Sequence, residues 1–378
     1  MVVYRHPPDE EDLVNLVEWR AALIRDPVRR LRYLRRRSGL GPAPVRRPRR
    51  WRNVSKASGL ALLFLVPHSP HSDANAPMRR PPRAPQVSPD RGPDAWLVEK
   101  TKDVETYSNG LRIENLYAVS HRPRAYKALP ARGGEPVPRF RPAGIVFHTT
   151  ESHLPPFDPE RTPELKRAGR DLLRYVRENR SYHYLIDRFG RVWRVVRESD
   201  AASHAGWSVW ADEEWTYINL NDSFLAVAFE ASSGAPTVAN PAQIHSGRVL
   251  TEMLRARYGI SAANCVTHAQ VSVNPRNHHI GYHTDWTSGF PFAALGLPDN
   301  YALPAPSLIL FGFTTGSAPP VSGSQGIWSG VRAAERQIQS EAALRELSPA
   351  RYRAMLRQRY RQTLAALERR EAVQEGLP

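Results

Sequence analysis

The chain has a single cysteine, Cys265, in 378 residues. That excludes an internal disulfide framework, a Cys-rich zinc module and an iron–sulfur cluster. An exported protein with a large enough core needs no such staples, so export stays open. No apolar stretch approaches the roughly 20 residues of an ordinary membrane-spanning helix; the run GLALLFLV (59–66) is far shorter. No repeat of fixed period is present, and no HExxH or other local metal signature occurs. Acidic residues are in deficit, 37 Asp and Glu against 53 Lys and Arg, for a net charge of +16.

That charge sits at the ends. Residues 1–56 hold 15 Arg and Lys against six Asp and Glu, and residues 320–378 hold ten against six, which leaves about +3 for the 263 residues between. A near-neutral middle argues against a specific nucleic-acid ligand. It leaves the Arg-rich ends as candidates for contact with a membrane surface or an anionic wall polymer. Hydrophobic residues make up 41% of the chain, enough for a sizeable core and too many for wholesale disorder. The 34 prolines, about 9% of the chain against a usual ~5%, cluster where stiff linkers belong.

The order of segments divides the chain. Residues 1–56 form a basic region with amphipathic helical patterning. Basic RRPRRWRNVSK, apolar GLALLFLV and Ala74-Asn75-Ala76 follow in the order of a secretory signal, so 57–76 is expected to be a signal peptide or signal-anchor. The protein would then be exported to the periplasm, the extracellular space or the cell wall, or anchored at the membrane. Translation from Met78 would instead make it cytoplasmic. Residues 77–95 read as a Pro-rich linker.

Between 96 and 297 strand and helix patterns alternate, which predicts an α/β domain with a central sheet. Asn109-Gly110 marks a hairpin, and AGIVFHTT (143–150) and LAVAFEAS (225–232) read as buried strands. Thr162-Pro163 opens a helix with Leu165, Ala168, Leu172 and Val176 inward, and Asn240-Pro241 opens another that Gly259 closes. Residues 298–328 read as a linker and 329–378 as C-terminal helices.

Thirteen histidines exceed what folding needs. His148 and His268 each follow a short apolar run, so both stand at carboxyl ends of predicted strands, where two imidazoles can enter one crevice. Asp285 in YHTDWTSGFPF could complete a set of two nitrogens and one oxygen, with His278, His279 and His283 as competing third ligands. Three protein ligands leave a zinc position open to water, as hydrolysis requires. Cys265, inside an apolar strand, reads as a buried small side chain.

The succession AGIVFHTTES, SYHYLIDRFGRVW, ASHAGWSVW, NDSFLAVAFEAS, CVTHAQ and TDWTSGFPF resembles the zinc-dependent N-acetylmuramoyl-L-alanine amidases (amidase type 2), which share their fold with the peptidoglycan recognition proteins. It covers roughly residues 140–295. The resemblance implies an α/β fold with a central mixed β-sheet flanked by helices, here with helical N- and C-terminal extensions. It implies that His148, His268 and Asp285 bind Zn2+. It gives Glu230 the proton transfer from water, Tyr182 and His283 the oxyanion, and His204 and Gly206 the border of the substrate groove. His283 stands where several amidases have lysine, and a histidine there is expected to make activity more pH-dependent. The implied reaction is hydrolysis of the amide between N-acetylmuramic acid and L-alanine in peptidoglycan or muropeptides. The alternative is a recognition protein that binds peptidoglycan without cutting it.

Overall fold

The computed structural model describes residues 95–233, 238–315 and 325–375. The basic region 1–56, the segment 57–76 and the linker 77–95 apart from Ala95 lie outside the described residues. In chain order the strands and main helices are β1 (Leu97–Lys100), β2 (Val104–Tyr107), β3 (Arg112–Glu114), β4 (Tyr126–Pro130), β5 (Val137–Arg139), β6 (Gly144–Thr149), α1 (Thr162–Asn179), β7 (Tyr184–Ile186), β8 (Val192–Arg194), β9 (Val209–Ala211) and β10 (Trp215–Ile218). They continue with α2 (Leu220–Ser223), β11 (Phe224–Phe229), α3 (Pro241–Tyr258), β12 (Cys265–Thr267), α4 (His268–Val271), α5 (Pro306–Phe311), α6 (Gln325–Leu344) and α7 (Pro349–Glu375).

Eight strands form one sheet in the order β1-β2-β3-β8-β7-β11-β6-β12. Its centre is parallel, with β11 between β7 and β6 and β12 beyond β6. Antiparallel pairs join β7 to β8 and β1-β2-β3 at the other edge, so the sheet is mixed. Every residue of β6 and β11 is buried. Strands covered on both faces read as unbroken apolar runs, as GIVF and FLAVAF do.

Alternation then sorts their side chains. Ile145, Phe147, Leu225, Val227 and Phe229 pack with Leu250, Met253 and Leu254 of α3. On the opposite face Ala228, Leu185 and Trp193 meet Leu173 and Val176 of α1. That helix runs over the expected residues, but its buried side centres on Leu173 and Val176, with Leu165, Ala168 and Leu172 only half-buried. Helix α3 has the expected ends: Asn240 accepts from the Gln243 amide in a capping box, and Gly259 closes it in the left-handed region. Gly190 turns β7 into β8 at φ +78°, and a Cβ there would lie 2.8 Å from the Ala242 carbonyl oxygen.

A second sheet, β5-β4-β10-β9, carries the C-terminal part. Val209 and Ala211 of β9 pack with Leu308, Phe311 and Phe313, with Val331 and Ile338 of α6 and with Tyr360 of α7. The stretch 298–328, expected as a linker, therefore contains core: all six residues of α5 are buried. Its Pro, Ser and Gly content reads as loop, but LILFGF within it is apolar enough to be covered. Among the described residues no helix is long and apolar enough to cross a membrane.

Candidate active site

Strands β7, β11, β6 and β12 run parallel, so their carboxyl ends open along one side of the sheet. His148 is the next-to-last residue of β6, level with Ala228 of β11. His268 directly follows β12 and heads α4, whose start is fixed by a reciprocal Thr267–Gln270 capping box. Asp285 comes from the loop that returns after α4, and its carbonyl accepts from the Ala269 amide at 3.3 Å.

These three side chains are buried and meet. Asp285 Oδ2 lies 3.1 Å from His148 Nδ1 and 3.1 Å from His268 Nδ1, and Asp285 Oδ1 lies 2.9 Å from His268 Nδ1. Burial by itself would raise the Asp285 carboxyl, but hydrogen bonds with His148 and His268 outweigh it and hold the group well below the usual carboxylate range. Burial, followed by the neighbouring His268, pushes His148 down to about 4, which leaves it neutral with a lone pair to offer.

The set fits a zinc ion. One donor atom from each residue lies within 4.8 Å of the others. Bonds of about 2.0–2.1 Å in a tetrahedral arrangement place ligand atoms roughly 3.3 Å apart, close to the 2.9–3.1 Å separations of the carboxylate from the two imidazoles. Two nitrogens, one anionic oxygen and surrounding burial are the donor chemistry of a zinc site with one position open. Two of the three competing ligands stand elsewhere: His278 stacks on Phe313 at 5.0 Å, and His279 pairs with Thr314.

Tyr182, His204 and His283 surround the cluster. The Tyr182 ring lies 5.2 Å from that of His148, and burial, then the Asp285 charge, raises its hydroxyl above the ordinary value. His283 stacks on His268 at 4.3 Å. Burial and His268 push it down to about 4, so it carries no lysine-like charge near neutrality and titrates below the range expected for it. His204 Nδ1 lies 3.1 Å from His148 Nε2. Gly206, two residues on, is exposed with φ +50°.

Glu230 is set apart. It follows β11 on the face that carries Ala228, two residues beyond the level of His148. Its carboxylate accepts from the Arg188 amide at 3.1 Å, and no hydrogen bond joins it to the three clustered residues. Burial raises its pKa.

Sequence reasoning missed three supports. Trp286, at φ +58°, buries its ring against Phe229 and Phe290, and its carbonyl accepts from Tyr301 Oη at 2.6 Å, so the residue beside Asp285 is anchored in the core. Its place next to a candidate ligand in TDWTSGFPF was the available signal. Asn221 Oδ1 takes the amides of His204 and Ala205 at 2.8 and 2.7 Å. Glu151, at φ +49°, gathers bonds from Thr149, Ser232 and Ser233 beside the β6 end. Neither role has a local sequence signature. Cys265 is buried as expected, its thiol pushed up to about 12.

The sequence model described as N-acetylmuramoyl-L-alanine amidase matches residues 138–285. No curated protein sequence matches the chain. Among solved structures, the amidase AmiD from E. coli, in complex with anhydro-N-acetylmuramic acid-L-Ala-D-gamma-Glu-L-Lys, is 21% identical over 57% of this chain and 86% of its own, with a TM-score of 0.31. AmpDh3 from Pseudomonas aeruginosa is 20% identical over 61% and 92%, at 0.32. The Drosophila peptidoglycan recognition protein SD is 17% identical over 41% and 84%, at 0.27. The span of the family match takes in His148, His268 and Asp285. Residues 138–285 belong to the amidase type 2 family of N-acetylmuramoyl-L-alanine amidases.

Proposed function

We propose that the protein is a zinc-dependent hydrolase that cleaves the amide between N-acetylmuramic acid and L-alanine in peptidoglycan or its muropeptide fragments. The observation that carries this reading is the convergence of His148, His268 and Asp285, inside the family-matched span, at the carboxyl ends of parallel strands. Zinc held by the three would supply Lewis acidity toward the amide carbonyl and acidify water.

The chain's own groups account for the rest. Asp285 brings one negative charge, and His148 stays neutral, so the pocket is preset to receive a cation. Tyr182 keeps its proton because burial and Asp285 oppose ionisation. It is therefore a donor for negative charge developing on the carbonyl oxygen. His283, neutral and stacked on His268, is a second donor. Glu230, its basicity raised by burial, is the proposed proton carrier from water to the departing amine. His204 and Gly206 border the groove.

A second reading, a recognition module that binds peptidoglycan uncut, is favoured by one observation. The residue level with His148 on β11 is Ala228, and the Glu230 carboxylate is occupied by the Arg188 amide. Incubating the full-length protein with purified peptidoglycan separates the two. Release of free stem peptide, abolished by chelation and restored by zinc, supports the amidase; zinc uptake and tight binding without release support the module. Tyr182→Phe is expected to lower the rate about 100- to 1,000-fold, as loss of one oxyanion donor does. An equal loss in Glu230→Gln supports its place in proton transfer, and an unchanged rate removes it.

Export is the compartment proposed with this function, on the basic and apolar order of residues 46–76. Contact of the Arg-rich ends with anionic polymer or membrane is proposed with it. Fractionation and salt-dependent wall binding test the two.

A further inference from the structure

His148 has two ring nitrogens, and both are committed. Nδ1 faces Asp285 Oδ2 at 3.1 Å, and Nε2 faces His204 Nδ1 at 3.1 Å. The His148 and His204 rings stand at 86° with centroids 5.2 Å apart, an edge-on arrangement in which an N–H of one ring can point at the lone pair of the other. One proton fits between two facing nitrogens. If His204 Nδ1 carries it, neutral His148 is protonated on Nδ1 and has no lone pair on the side of Asp285. If His148 Nε2 carries it, Nδ1 is free there and His204 is protonated on Nε2.

The His204 backbone is placed independently of its ring. Its own amide and that of Ala205 end on Asn221 Oδ1, and the Ser203 amide donates to the Arg180 carbonyl. His204 Nε2 is buried and has no hydrogen-bond partner among the described residues, so its Nδ1 contact with His148 is the one polar bond its ring makes there. A ligand histidine commonly gives its second N–H to a carboxylate, carbonyl or water; here an imidazole stands in that place.

We propose that His204 is a positioning residue: without metal its Nδ1–H faces His148 Nε2 while His148 Nδ1–H donates to Asp285, and with metal it accepts the Nε2–H of His148, which frees the His148 Nδ1 lone pair for the ion. This rests on the reading of His148, His268 and Asp285 as metal ligands, and it gives His204 a role distinct from substrate contact. His204→Phe keeps a ring of similar size without an acceptor, and His204→Gln keeps an acceptor oxygen.

The test uses the full-length protein with cobalt and zinc as probes. Chelator competition should show His204→Phe binding roughly 10- to 100-fold more weakly, with a changed visible spectrum of the cobalt form, and His204→Gln staying close to wild type. Nitrogen-resolved NMR should find the His148 proton on Nδ1 in the metal-free wild type, where Asp285 accepts it, and on Nε2 in the zinc-loaded wild type. Wild-type affinity in a folded His204→Phe, or a His148 proton on Nδ1 in the zinc-loaded wild type, would overturn the proposal. Should His204→Phe fail to fold, His204→Gln and the NMR measurement still decide it. A wild type that takes up no metal would instead break the ligand reading, whereas metal uptake with unchanged affinity in His204→Phe breaks this proposal alone.

Discussion

The two histidine ligands and the aspartate are held by different parts of the molecule. His148 and His268 stand at the ends of β6 and β12, adjacent parallel strands whose register fixes both. Asp285 stands on a loop whose path depends on distant residues. Ser272 pairs with Ser208 and takes the Gly281 amide on its carbonyl and the His283 amide on its hydroxyl; Val273 pairs with Ile280. His279 pairs with Thr314, and His278 rests on Phe313 and against Tyr360 of α7. Arg353 and Arg357 of α7 donate to the carbonyls of Phe313 and Gly312. Two ligands thus come with the sheet, and the third comes with the C-terminal helices, which makes those helices part of the site's support.

The sharpest way to break this division is at the third ligand. Asp285→Ala should abolish zinc uptake and amide cleavage while leaving hydrogen-exchange protection of β6 and β11 unchanged. Loss of protection in those strands would mean that the loop and the sheet are not separable.

Trp286→Ala comes next. It empties a fully buried aromatic site and should cost about 3–5 kcal/mol in urea unfolding, with weaker zinc binding because Asp285 loses its neighbour's anchor. A smaller effect is expected from His278→Ala, which removes one stack on Phe313, worth about 1 kcal/mol. It should lower zinc affinity without altering protection of β6. Equal affinity would show that the brace through α7 does not reach Asp285.

The smallest effect belongs to the sheet side. Burial raises the Glu230 pKa in the folded state, so its contribution to stability is fully present below the unfolded value and is lost as pH rises through the folded value. Glu230→Gln should therefore melt higher than wild type above that window and gain nothing below it. Melting temperatures across a pH series would check the sign.

The same contrast explains what was legible in the sequence. Apolar runs before His148 and His268 announce buried strands, and the Asn109-Gly110 and Asn240-Pro241…Gly259 signals are local chemistry, so hairpin, helix and strand ends all follow from neighbouring residues. The three-residue strands β5 and β9 carry too little periodicity to be seen. Helix α5 hid inside a Pro- and Ser-containing stretch because its burial depends on α6 and α7 arriving later in the chain. Resemblance brought Asp285 into the site, but the supports of its loop are tertiary. The direction of the Glu230 carboxylate and the bond between His204 and His148 are likewise set by contacts across the fold, which no local pattern encodes.

On the proposed reading His148, His268 and Asp285 form one metal site. Calorimetric titration of zinc into the metal-free full-length protein, beside Asp285→Ala and His268→Ala, tests it most directly. The wild type is expected to show about one tight site per chain and either variant none. Tight binding of the same stoichiometry in both variants would contradict it.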